Sequence, residues 1–242
     1  MEKWIQRISH ILSFAVIFFL SAAFYFSFKG FSYVDGNIVL VKPEAVAAEH
    51  NGIATVLPSN IIVNASDRFA IGSPYAPLTL YEYSSLGCPH CADFHLDIMP
   101  KLEEEYVSRG LLRIVFVHFP LDKKSMKAAM ISRCLTYENY QNFIRTLFDR
   151  QRFWFLDRSD EQLMRFAAEH GLSYDEAQAC ASDDMVAQEI ISDRQDGATR
   201  LHIQGTPAFL FSGADGNEII YGVPNYAQLR EYIDNRLGLQ RQ

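Results

Sequence analysis

Two cysteines separated by a proline and a histidine, Cys88-Pro89-His90-Cys91, are the residues of this 242-residue chain best suited to chemistry. Three uses fit that spacing: a metal clip, a structural staple and a reversible redox pair. The pair follows an aromatic, β-rich run, LTLYEYSS at 78–85, and opens a stretch with Leu96, Met99, Leu102 and Tyr106 at helical spacing. A strand that turns straight into a helix puts Cys88 at a helix start. There, backbone N–H groups lack partners and the helix dipole adds partial positive charge. Both favour a thiolate, so Cys88 is expected to titrate below an ordinary thiol. Pro89 suits the first helical position, and His90 adds a donor beside the sulfur. A thiolate held this way leaves easily, which makes the disulfide a ready oxidant of other thiols.

The other two uses fare less well. A tetrahedral metal site needs four ligands, whereas Cys88, Cys91 and His90 or His95 supply three at most, so no metal is expected. A staple across three residues constrains little chain. The redox pair therefore leads.

The elements that must position it can be read along the chain. LLRIVFVHFPL, residues 111–121, is a buried strand, and strand, helix and strand make a parallel βαβ unit. Pro100 inside the helix is expected to kink it and Gly110 to end it. Residues 122–197 read as helices, with Trp154 and its neighbours Phe153 and Phe155 as their core. TPAFLFSG and NEIIYGV return to strand and form a hairpin through GADG, and NYAQLREYIDNRLG closes the chain as a helix capped by Asn225. The fold class is α/β, in the order βαβ…ββα. Residues 72–120 and 198–238 form a split domain with a helical domain inserted at 121–197. His118 reads as a core histidine and Glu103 to Glu105 as a solvated face.

Composition sets outer limits. Apolar residues are 49% and charged residues 21%, as in a folded protein, and the net charge of −7 argues against a nucleic-acid partner. No glycine-rich phosphate loop is present, and no cofactor is expected. After Lys3 and Arg7, residues 11–28 carry no charge, and as a helix they would rise about 27 Å against a hydrocarbon core of roughly 30 Å. Residues 1–29 thus read as an uncleaved membrane anchor or as a signal peptide cut after Ser21 to Ala23. Either sends the remainder to an oxidising compartment, where disulfides persist. Residues 30–71 are a linker or an oligomerisation arm, and Asn64-Ala65-Ser66 within them is a chance sequon.

From about residue 72 to 237 the chain resembles the DsbA-like thiol:disulfide oxidoreductases, a thioredoxin-like fold with an inserted helical domain. GSPYAPLTLYEYSSLGCPHC looks like that family's lead-in, strand and active site, and GTPAFLF, Gly205 to Phe211, looks like its cis-proline loop. The resemblance implies that Cys88 is the nucleophile and Cys91 the resolving thiol, with His90 tuning Cys88. It implies that Thr206 and Pro207 line the substrate backbone and that Glu82 is a buried acid serving Cys91. Two departures stand out. Where relatives place a lysine across from that acid, this chain offers only Arg113, one position out of register. Thr206 replaces the valine common among strong oxidases. Cys134 and Cys180 resemble the extra cysteine pair of the alphaproteobacterial branch, which implies a structural disulfide in the helical domain, with free thiols or a second redox pair as alternatives.

The function this implies is an exported, periplasmic oxidase anchored in the inner membrane by residues 11–28, or soluble in the periplasm after cleavage. It would donate the Cys88–Cys91 disulfide to folding secreted proteins and be reoxidised by a membrane partner. An isomerase or reductase, favoured if residues 30–71 build a homo-oligomer, is the alternative within this chemistry. A non-catalytic chaperone or metal-handling module is the alternative outside it.

Overall fold

The computed structural model describes residues 31–34, 37–40, 54–57 and 69–239. The apolar run at 11–28 and the triplet at 64–66 lie outside these, and no helix among the described residues is long and apolar enough to cross a membrane. The chain divides into two compact units, Met1–Glu49 and His50–Gln242. In the first, β1 (Phe31–Val34) and β2 (Asn37–Leu40) pair antiparallel, with Phe31 opposite Leu40.

The second unit is built on a five-stranded sheet of β3 (Thr55–Val56), β4 (Leu78–Ser84), β5 (Leu112–His118), β6 (Ala208–Gly213) and β7 (Gly216–Tyr221). Its order is β3-β7-β6-β4-β5, with β4 and β5 parallel and the other pairs antiparallel. Two parts of the 30–71 connector join it: β3 pairs with β7, and Ile71 bridges Ile114.

Alternation along the strands sorts residues between two cores. Leu78 and Leu80 of β4, with Phe209, Phe211 and Ile220, face helices α1 and α8. Helix α1 runs through Pro89–Asp93, Phe94–Ile98, Met99–Leu102 and Glu103–Val107, and α8 is Tyr226–Arg236. On the other face Tyr83, Val115, Val117, Leu210 and Ile219 pack with Leu201 and Ile203.

Helix α1 is not regular. Its second and fourth segments are π-helical, so one more residue fits into each turn, and Pro100 lies in the α-helical turn between them. The wider turns rotate the buried face. Phe94, His95 and Ile98 point inward with Met99, Leu102 and Tyr106, while Leu96 stays exposed, which corrects the uniform helical spacing read from the sequence.

Between β5 and β6 lie α2 (Lys123–Arg133), α3 (Tyr137–Asp149), α4 (Gln151–Phe155), α5 (Glu161–Glu169), α6 (Tyr174–Cys180) and α7 (Asp184–Arg200). Local chemistry sets their limits. The Asp122 side chain accepts from the amides of Lys124 and Ser125 to start α2, and Ser173 with Glu176 forms a capping box on α6. Gly171, at φ +93°, ends α5. Asn225 likewise caps α8 through Ala227 N–H at 2.8 Å. The order βαβ, helical block, ββα is the one expected from the pattern.

Trp154 is fully buried in the helical block and its indole N–H donates to Leu147 O at 2.8 Å, whereas Phe153 beside it is exposed and Phe155 is half-buried. Trp154→Ala leaves a large cavity and orphans that carbonyl, so it should cost about 3–5 kcal/mol in a urea unfolding titration.

Candidate active site

Cys88 is the N-cap of α1. Its backbone is extended (φ −82°, ψ 122°), and its carbonyl accepts the first helical bond from Ala92 N–H at 3.2 Å. Pro89 occupies the first helical turn. The amides of His90 and Cys91 are thereby left pointing at the Cys88 sulfur. Both cysteines are free thiols in this structure. Cys91 is fully enclosed, while Cys88 keeps 9% of its surface exposed.

The two thiols are driven in opposite directions. The Cys91 thiol donates to the Cys88 sulfur and is the largest influence lowering it. Partial burial works against this. Thr206 and the amides of Cys91 and His90 assist it, and the balance brings Cys88 from about 9 down to about 5. Cys91 is pushed far up, first by burial, then by its bond to the Cys88 sulfur and by the charges of Cys88 and Glu82. The Ser84 hydroxyl, on the strand beneath, eases that rise. One member of the pair is thus built to be anionic and the other to keep its proton.

A loop from the far end of the fold closes over the pair. Cys88 Sγ–H donates to the carbonyl of Thr206 at 3.3 Å, and the Thr206–Pro207 peptide is cis. The Thr206 hydroxyl is buried and has no other partner among the described residues. Residues 118 positions apart therefore form one surface, because β6 is hydrogen-bonded to β4, the strand that leads into the pair.

The helical block grips the same turn. Gln151 at the start of α4 donates from its side-chain amide to Leu86 O at 2.8 Å and to Cys88 O at 3.0 Å. Gly87 between them leaves room for α2 and α4, since a Cβ there would overlap the Phe155 ring and the Ser125 hydroxyl. Neither Gln151 nor Gly87 carries a signal in the sequence, because both act on residues far along the chain.

His90 is exposed, and its ring lies 3.5 Å from Asp93, also exposed. What reaches the Cys88 sulfur from His90 is its amide rather than its imidazole.

Glu82 is fully buried on the face of β4 that meets α1, and its carboxylate accepts from His95 Nε2 at 2.9 and 3.1 Å. The ring of His95 stacks on Phe148 (centroids 4.3 Å apart, planes at 25°) and meets Phe94 and Phe116 edge-on. The expected partner on the next strand is displaced. Arg113 stands opposite Thr79, three residues away in register, while Phe116 is opposite Glu82. Sequence reading missed His95 as that partner, although it sits four residues after Cys91 and hence on the same face of the helix.

His118 is buried, with Nε2 within hydrogen-bond distance of the Ser132 and Tyr140 hydroxyls at 3.0 and 3.1 Å; burial, and then Arg133, holds it well below the usual histidine range. Cys134 and Cys180 are bonded to each other (S–S 2.02 Å, Cα–Cα 6.3 Å), which ties the end of α2 to the end of α6. No group of three or more His, Cys, Asp or Glu among the described residues is arranged to hold a metal ion.

A family model described as Thioredoxin matches residues 64–235. A Rickettsia typhi protein named as a protein-disulfide oxidoreductase is 25% identical over 165 residues, 67% of this chain and 60% of that protein. A Bacillus anthracis protein named as a disulfide bond formation protein D is 24% identical over 183 residues, covering 71% of this chain and 79% of the relative. Among solved structures, alpha-DsbA1 of Wolbachia pipientis superposes with a TM-score of 0.64 at 31% identity, over 70% of this chain and 90% of that one. Oxidised BdbD of Bacillus subtilis shares the fold at a TM-score of 0.58 and 21% identity, over 71% of this chain and 94% of its own. This chain thus spans 60% of the length of the Rickettsia relative.

The opposed thiols make the reduced protein's stability depend on pH with a definite sign. Folded Cys88 loses its proton near pH 5 and unfolded Cys88 only near 9. Between these limits the unfolded state binds the extra proton, so stability rises with pH, and it is lost as pH falls through about 5. Melting curves of the reduced protein should show this rise relative to Cys88→Ser; identical slopes would contradict the assignment. Gly87→Ala should lower the melting temperature and also raise the titration point of Cys88, followed by thiolate absorbance, because it pushes α4 off the turn.

Proposed function

The chain belongs to the thioredoxin family, among the DsbA-like thiol:disulfide oxidoreductases, and on that premise we propose that it is an exported enzyme donating its Cys88–Cys91 disulfide to folding proteins. The observation that carries the proposal is the opposition of the two thiols under the Thr206 carbonyl. A thiolate stabilised in the reduced form weakens the disulfide, so the pair tends to pass that disulfide to thiols whose own anions are less stabilised.

The steps follow from exposure. A substrate thiolate attacks the Cys88 sulfur, the member that retains surface, and Cys91 leaves into the enclosed space behind it. A second substrate thiolate then attacks the first substrate sulfur and expels Cys88, which leaves readily because it is stable as an anion. The substrate has lost two electrons and the cysteine pair has gained them. Thr206 and Pro207 form the wall against which the substrate backbone lies.

The Cys134–Cys180 bridge is assigned a structural role. With a sequence separation of 46, closing that loop is worth up to roughly 4 kcal/mol in the chain-entropy account. Residues 11–28 hold the protein in the inner membrane with the redox unit in the periplasm, or are removed after export. A membrane redox partner restores the disulfide, and secreted cysteine-containing proteins are the substrates. Residues 30–71 are the segment through which copies would associate.

A second reading has one observation behind it. Thr206 precedes the cis-proline, where valine is the commoner residue among strong oxidases of the family, and this favours an isomerase or reductase. The test is the oxidised protein given a reduced, unfolded substrate in one arm and a scrambled one in the other. Rapid oxidation of the first with slow reshuffling of the second is expected, and reshuffling without any oxidation would overturn the proposal. Cys88→Ser should abolish activity, whereas Cys91→Ser should accumulate mixed disulfides visible on non-reducing gels. Replacing Cys134 and Cys180 together by Ser should lower stability by up to about 4 kcal/mol with the oxidation rate retained.

A further inference from the structure

The helical block carries an open groove that the exchange steps above do not use. It has a volume of about 510 Å³, within the range of sites that hold ligands, and lies between α2, α7 and the Pro120–Leu121 turn that follows β5. Its lining is mostly apolar: Leu121, Met126, Met130, Ala181 and Ile191, of which Leu121 and Ile191 are 48% and 37% exposed. Unbranched methionine side chains repack around guests of different shape, which suits a site for varied sequences.

Charge at the rim selects the guest. Asp122, Lys123, Lys127 and Arg194 also line the groove. The Asp122 carboxylate is turned onto the start of α2, where it accepts from the amides of Lys124 and Ser125 and from the Ser125 hydroxyl. Lys127 pairs with Asp160. Lys123 is exposed and makes no ion pair among the described residues. Arg194 has no carboxylate partner among them either. Its Nε donates to Pro120 O at 3.0 Å and its guanidinium lies over the Phe119 ring, 5.1 Å from the centroid, which fixes it beside the groove. On a chain of net charge −7 this is a locally positive rim over an apolar floor.

The groove adjoins the redox turn. Phe119 N–H donates to Ser84 O at 2.7 Å, and Ser125 of α2 lies against Gly87, the neighbour of Cys88. No residue of β6 or of the Thr206–Pro207 loop lines it, so it is a separate surface on the helical-block side of the pair.

Building on the disulfide exchange proposed above, we propose that this groove holds a segment of the substrate polypeptide that combines apolar side chains with an acidic one. The carboxylate meets Arg194 and Lys123, and the apolar side chains lie on Met126, Met130 and Ile191. Thr206 and Pro207 hold the backbone at the reacting cysteine, and the groove adds selection by sequence beside it. An unfolded segment offers apolar and acidic side chains together, whereas a folded product has buried most of its apolar ones. The groove therefore favours capture before folding and release after it.

The experiment uses the oxidised full chain and short reduced peptides, each with one cysteine. The first carries leucines and a single aspartate, the second has lysine for the aspartate, and the third has serines for the leucines. Mixed-disulfide rates per thiolate are followed against peptide concentration and expressed relative to glutathione, which is too short to fill the groove. The leucine–aspartate peptide should half-saturate about tenfold below the other two with a similar limiting rate, and its advantage over the lysine peptide should shrink with added salt. Lys123→Glu places a carboxylate in the first turn of α2, where the helix dipole tolerates it, and should erase the preference for aspartate over lysine. Ile191→Ser should erase the preference for leucine over serine. Equal half-saturation of the three peptides on the wild type, or an unchanged preference in Lys123→Glu, overturns the inference. So does a groove that takes dodecanoate while the peptides go undistinguished. Fluorescent versions of the peptides with serine for cysteine keep the two readings apart. If they bind in the expected order while no thiol reacts, the exchange reading falls and the groove stands. If every thiol reacts and the labelled peptides bind alike, the groove falls and the exchange reading stands.

Discussion

An anionic sulfur in a nearly enclosed place requires donors that do not move, and the first turn of α1 provides them. Cys88 is extended and Pro89 begins the helix, so the amides of His90 and Cys91 have no backbone acceptors and turn to the sulfur. The Cys91 thiol, one turn on, adds the strongest donor. This geometry depends on where the helix starts. A start one residue later would place Cys88 outside the turn and its sulfur away from the amides, and the titration of the pair would revert toward that of ordinary thiols.

Much of the remaining structure can be understood as fixing that start. Strand β4 enters from the centre of the sheet, braced by β5 on one side and β6 on the other, so the chain arrives at Leu86 with little freedom. The helical block then holds the turn through Gln151 on two consecutive-but-one carbonyls and through the close approach that Gly87 permits. The same block contributes Phe148 to the ring cage around His95, which keeps the Glu82 pair away from water. The Cys134–Cys180 bridge ties α2 to α6 within the unit that makes these contacts. An insertion between β5 and β6 is therefore part of the wall around the cysteine pair and also part of its scaffold.

The legible parts of this design are those encoded locally. CPHC after a strand announces a helix start, Asn225 announces a cap that the structure contains, and alternation in LTLYEYSS separates Leu78, Leu80 and Glu82 from Tyr83. What escaped reading was encoded in geometry that no pattern of period 3.6 describes. The π-helical turns of α1 leave Leu96 outward, so a regular helical wheel built on Met99 and Leu102 misplaces it. Parallel register likewise cannot be read from one strand: counting places Arg113 near Glu82, but the β4–β5 pairing puts it opposite Thr79. The contacts of Gln151 with Leu86 and Cys88, and of Gly87 with Phe155, join segments more than 60 residues apart, and only packing brings them together.

The opposition of the two thiols also makes the chemical steps unequal, and that bears on the direction of electron flow. Expelling Cys88 from a mixed disulfide is easy, because its anion is already favoured at neutral pH. Expelling Cys91 is hard unless a proton arrives, because burial and nearby negative charge both oppose its anion. An enzyme that only releases oxidised product uses the easy step last, with Cys88 as the leaving group, and does not need Cys91 to attack. A reductase or isomerase that frees itself from a stalled mixed disulfide needs Cys91 to give up its proton and attack. Enclosure of Cys91 therefore slows escape from a mixed disulfide, and it equally slows the first step of donation, in which Cys91 is itself expelled. Pace in this fold is thus set by the proton affinity of the space behind Cys91, and direction by the stability of the thiolate in front of it.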